Sequence, residues 1–149
     1  MRSAIILTMC ASAFFGATAV QAQIELSRAA YVERMSDNGK IRSIEPATSL
    51  SRGDTVVLVV DWRSDGARKS FVVSSPIPKH LKFKSSSHDG QIVSIDNGRS
   101  WGRIGTLRVN DRFGSRRASV EDVTHLRWTI PSHQSANGSG KITYSAIVR

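Results

Sequence analysis

The sequence predicts an all-β fold: an antiparallel sandwich of about 7–9 short strands, with a β-barrel as the alternative. Three observations carry this. Residues 54–63 form the longest apolar run after residue 22, and they are dominated by β-branched side chains, which pack well on a pleated surface. Residues 123–130 alternate, with Leu126, Trp128 and Ile130 pointing one way and His125, Arg127 and Thr129 the other. Turn residues recur about every ten positions, and no window of 12 or more residues beyond the N-terminal stretch shows a helical period.

Residues 1–22 read as a secretory signal peptide. Met1-Arg2 supplies the positive start, residues 4–20 carry no charge, and Val20-Gln21-Ala22 places short side chains at the cleavage position. The rivals are an uncleaved anchor, for which the uncharged stretch is a marginal span, and a lipoprotein signal. Met9 before Cys10, with most of the apolar stretch after it, argues against lipidation. Residues 23–149 then make one domain with no transmembrane segment. Cys10 is the only cysteine and lies in the leader, so the cleaved chain can form no disulfide, thiolate metal site or cysteine nucleophile. Export without disulfides fits a bacterial envelope, periplasmic or extracellular.

The first strand is read over residues 24–35, with Tyr31 and Val32 at its centre. Asp37-Asn38-Gly39 is a tight turn into a short partner over residues 41–44, which Glu45-Pro46 ends. Ser51-Arg52-Gly53-Asp54 turns into the central strand. There Val56, Leu58, Val60 and Trp62 share one face, Thr55, Val57, Val59 and Asp61 the other, and apolar residues on both predict cover on both sides. Residues 69–75 form a short strand broken by Pro76 and Pro78. Leu81 and Phe83 alternate with Lys82 and Lys84, a half-exposed strand with a basic outer face. Residues 91–96 turn back through Asp96-Asn97-Gly98 toward Trp101, and residues 104–109 are a further candidate strand. The polar, Arg-rich residues 110–122 are expected as the longest loop, and 131–140 as a second one. Residues 141–148 close the chain. The predicted core is Val56, Leu58, Val60, Trp62, Leu126, Trp128, Ile130, Ile142 and Tyr144. Trp62 and Trp128 are expected to pair at its centre, each burying ~200 Å².

The Arg52-Gly-Asp-Thr-Val strand start, the following Asp65-Gly66 turn, Phe71-Val-Val-Ser-Ser-Pro-Ile-Pro78, Ser94-Ile-Asp-Asn-Gly-Arg-Ser-Trp101 and Val123-Thr-His-Leu-Arg-Trp128 stand in an order that resembles one family. It is the bacterial secreted "conserved repeat domain" group, found in envelope and cell-surface proteins. The resemblance implies an immunoglobulin-like sandwich and a surface setting, and supplies no catalytic residues. Many members occur in tandem, whereas this chain holds a single copy.

Most short motifs read as turns. Arg52-Gly53-Asp54 spells an adhesion tripeptide but fits a strand-opening turn. Gly138-Ser139-Gly140-Lys141 lacks the upstream Gly and the following Ser or Thr of a phosphate loop. Asp37-Asn38-Gly39 and Asp96-Asn97-Gly98 lack the further ligands of calcium loops. His80, His88, His125 and His133 form no close pair, so neither a metal nor another cofactor is expected. Nor is there a nucleophile elbow or a carboxylate pair with catalytic spacing.

Charge is what remains. The chain carries 21 Lys+Arg against 12 Asp+Glu, a net +9, which favours anionic partners. Arg99, Arg103, Arg108, Arg112, Arg116 and Arg117 cluster around Trp101 and Phe113, and no nucleic-acid motif accompanies them. The expectation is a non-enzymatic exported module that binds an anionic polysaccharide or another envelope protein through these arginines. A strand-adding assembly subunit and an enzyme without a linear motif are the alternatives. Solubility alone is the plainest explanation of the charge.

Overall fold

The computed structural model describes residues 24–35 and 42–149. The expected leader (residues 1–22) and the Asp37-Asn38-Gly39 turn lie outside the described residues. Among the described residues ten strands run in order: β1 (Glu25–Met35), β2 (Arg42–Pro46), β3 (Thr55–Arg63), β4 (Phe71–Pro76), β5 (Leu81–Ser86), β6 (Ile92–Ser94), β7 (Arg108–Asp111), β8 (Gly114–Arg117), β9 (His125–Ile130) and β10 (Ser139–Val148). All pairings are antiparallel. One sheet has the order β2-β1-β3-β10-β5, the second β4-β9-β6, and β7-β8 stand alone. The fold is an all-β sandwich and does not close into a barrel.

β3 is the central strand of the larger sheet, flanked by β1 and β10 along nearly its whole length. Val56, Val60 and Trp62 face inward and are buried. The expected cover on the second face is not another layer. Val57 on that face is buried all the same, but outside the core cluster, and its lateral neighbours are Tyr31 and Ser145. Leu58 is a second correction: it is only partly buried, because its neighbour on β1 is Ala30, whose single methyl leaves that flank open. The other predicted core residues, Leu126, Trp128, Ile130, Ile142 and Tyr144, are all buried, joined by Val73, Leu81, Phe83 and Val93.

The two tryptophans take separate aromatic partners rather than each other. Trp128 packs against Tyr144, centroids 5.6 Å apart, and Trp62 meets Phe71 edge-on at 5.2 Å. The polar atoms of the Trp128–Tyr144 pair are satisfied: Trp128 Nε1 donates to Ser86 Oγ at 3.2 Å, and the Tyr144 hydroxyl bonds Ser75 Oγ at 2.9 Å. Burial pushes the Tyr144 phenol up from its usual range, with the Ser75 bond opposing that. Trp62 lies across Gly140, where a Cβ would run into the indole ring.

Local expectations needed three further changes. Pro46 and Pro76 each end a paired strand instead of lying beyond it, which suits strands at sheet edges. The strand read over 104–109 starts only at Arg108, because Thr106 and Leu107 N–H groups bond back to Arg103 O. Two short helical turns, a 3₁₀ turn at Val120–Asp122 and α1 at Ser132–Ser135, occupy segments read as loop.

Candidate functional site: an arginine-rich hairpin

The segment 110–122, expected as the longest loop, contributes instead to a hairpin. Asp111 pairs with Gly114, Asn110 with Ser115, Val109 with Arg116 and Arg108 with Arg117, leaving Arg112-Phe113 as a two-residue connection. Gly114 at φ 117° allows the tight reversal. Asp111 Oδ1 accepts the Phe113 N–H at 2.8 Å and closes the turn locally. Alternation failed as a guide because nearly every residue here is polar on both faces, so the strands carry no hydrophobic period.

Chain geometry delivers the hairpin from the β6 end of the smaller sheet. Asp96 accepts Ser94 Oγ at 2.7 Å, Ser100 Oγ at 2.6 Å and the Ser100 and Arg99 N–H groups at 2.9 and 3.1 Å. These bonds, the Ser100 hydroxyl first, hold its carboxyl well below the usual carboxylate range. The turn, with Asn97 and Gly98 at positive φ, brings Gly102 back beside Val93. At the hairpin base, the buried Ala118 donates its N–H to Leu107 O at 2.9 Å, and Leu107 packs on the core.

The six arginines do not act alike. Arg116 is neutralised: NH1 and NH2 reach Asp122 Oδ2 and Oδ1 at 2.7 Å each, and Nε lies 3.7 Å from Asp111. That fork, followed by Ser119, holds Asp122 well below the carboxylate range. Glu121 is likewise lowered, by the Ser119 hydroxyl first and then by Lys82, with Lys82 Nζ 3.3 Å from it. Arg99, Arg103, Arg108, Arg112 and Arg117 are exposed and have no carboxylate partner among the described residues. Arg108 and Arg117 stand directly opposite one another, a like-charge pair that costs stability. Arg108 braces itself through Nε to Ser115 Oγ at 2.8 Å. At the tip, the Arg112 guanidinium sits 4.7 Å from the Phe113 ring centroid, and Phe113 is 86% exposed.

Other motifs resolve as structure. Asp54 Oδ2 accepts the Ser51 N–H at 2.8 Å and pairs with Arg34 at 3.1 Å, so the Arg-Gly-Asp carboxylate is committed to its own turn. Gly138 has φ 78° and leads into β10, not a helix. Among the described residues, no three His, Cys, Asp or Glu side chains lie close enough to share a metal ion, and no helix is long and apolar enough to cross a membrane.

Trp101 was expected among the arginines 99–117, yet its ring partner is Arg127 on β9, 3.6 Å from the centroid. The alternation already placed Arg127 on the wet face of its strand; the return of Gly102 to Val93 is what carries Trp101 to it. No family model, curated protein or solved structure matches the chain.

Proposed function

We propose that this chain is an exported, non-enzymatic binding domain of a bacterial envelope or cell exterior. Its β7–β8 hairpin engages an anionic partner, foremost an acidic polysaccharide and otherwise an acidic protein. One observation carries this reading: Arg108, Arg112 and Arg117 sit with the exposed Phe113 on a hairpin that belongs to neither sheet. A cluster of unpaired guanidinium groups selects polyanions, and an exposed aromatic adds a stacking face. The leader-like residues 1–22 and the resemblance to secreted repeat domains support the setting.

Retention on an immobilised acidic polysaccharide over a salt gradient tests this. The wild type is expected to elute late, the combined Arg108→Gln, Arg112→Gln and Arg117→Gln variant near the void, and Phe113→Ala between them, with screening setting the scale. Equal elution of wild type and triple variant would overturn the reading. Strand addition is the second reading. It is favoured by β4, an edge strand of six residues with Val72 more than half exposed. It predicts self-association that added salt leaves unchanged, visible by size-exclusion chromatography.

A further inference from the structure

The outer face of the smaller sheet holds a second cationic feature. Pairing puts Val72, Ser74 and Pro76 of β4 beside Thr129, Arg127 and His125 of β9 on this face. Trp101 joins it, its Nε1 donating to Gly98 O at 3.0 Å and its ring meeting His125 edge-on at 6.3 Å. Arg127 lies over that ring, and its Nε donates to Ser74 Oγ at 3.3 Å. Arg28 of β1 reaches the same residue, NH2 donating to Ser74 O at 3.3 Å. Arg28 shares the inner face of its sheet with Val60 and meets only the Ser74 main-chain oxygen, whereas Arg127 lies on the outer face; neither is ion-paired with a carboxylate among the described residues.

A guanidinium group without a counter-charge favours an anion. The geometry is also selective. Stacking on Trp101 and the Nε bond hold the guanidinium plane, while NH1 and NH2 of Arg127 make no hydrogen bond among the described residues. Those two parallel donors match the two oxygens of a carboxylate, and little rotamer freedom remains to be lost on binding. Around them, the Thr129 hydroxyl and the His125 imidazole offer partners for sugar hydroxyls, and exposed Val72 offers an apolar surface.

We propose that Arg127, held by Trp101 and Ser74, binds the carboxylate of a uronate residue in an acidic polysaccharide. This rests on the reading of the partner as an anionic glycan, but not on the hairpin. The probe is D-glucuronate titrated into the whole protein, followed by NMR at the Trp101 indole N–H and the Arg127 Nε–H. Both signals are expected to shift with glucuronate and not with glucose. Arg127→Lys, which keeps the charge but loses the planar fork, is expected to bind about tenfold more weakly. Absence of shifts, equal shifts from glucose or inorganic sulfate, or unchanged affinity in Arg127→Lys would each overturn the proposal. The Arg108/Arg112/Arg117 variant separates the two sites. Glucuronate shifts that persist in it support a site apart from the hairpin, and unchanged polysaccharide retention in that same variant would sink the hairpin reading alone.

Discussion

The β3–β10–β9 core and the β7–β8 hairpin are built from the same kind of antiparallel pairing, yet different forces hold them. In the core, Leu126, Trp128, Ile142 and Tyr144 are removed from water, and area burial dominates. In the hairpin nearly every residue is exposed, and its order comes from local polar bonds: Asp111 to the turn, Arg108 to Ser115, and Asp122 to Arg116. A two-stranded ribbon is marginal by itself. This one is tethered to the sandwich through Leu107 and Ala118. A frame held by burial can carry a basic, self-repelling element whose order comes from its own local bonds.

The comparison is broken most severely by attacking the frame. Trp128→Ala removes the largest fully buried side chain and the indole donor to Ser86 Oγ; it is expected to cost about 3–5 kcal/mol, read as a fall in the denaturant midpoint. A loss below 1 kcal/mol would mean the core is not the source of stability. Gly140→Ala is a subtler attack, since the added methyl must displace the Trp62 ring or bend β10. The expected loss is about 1–3 kcal/mol in thermal unfolding, and a neutral result would show that Trp62 can move aside.

The smallest global effect, and the most local, belongs to the hairpin clamp. Asp122 has its carboxyl lowered in the folded state, so its contribution is present above the ordinary carboxylate value of about 4 and is lost as pH falls below it. Acidification is therefore expected to lower the hydrogen-exchange protection of the hairpin amides, taken relative to the intrinsic rate at each pH, before that of β3 or β9. Asp122→Asn should do the same at neutral pH, with a change in global stability of at most about 1 kcal/mol. Simultaneous loss of hairpin and core protection would show that the two regions form one cooperative unit.

Legibility in the sequence followed the same division. β9 and β10 were readable from alternation, because one face of each is buried and the period of two survives. Eight of the nine predicted core residues are buried; Leu58 failed through the size of Ala30, a neighbour that only register reveals. The hairpin was not readable, because polar residues on both faces erase the period, and Gly114 was its only local mark. The six arginines were visible as a cluster, but not that Asp122 takes Arg116 out of it.

By itself the sequence determined what depends on local chemistry and composition. That covers the all-β class, the central place of residues 55–63, the turns at Gly53, Gly66 and Gly98, and the basic character of the segment after Gly98. Tertiary structure alone decided which side chains meet across long separations: Trp62 with Phe71, Trp128 with Tyr144, Arg127 with Trp101, and Arg127 with Ser74. The physical reason is that strand pattern sets only which face a side chain takes. Its partner is set by register and by which strands become neighbours, and those follow from packing the whole chain at once.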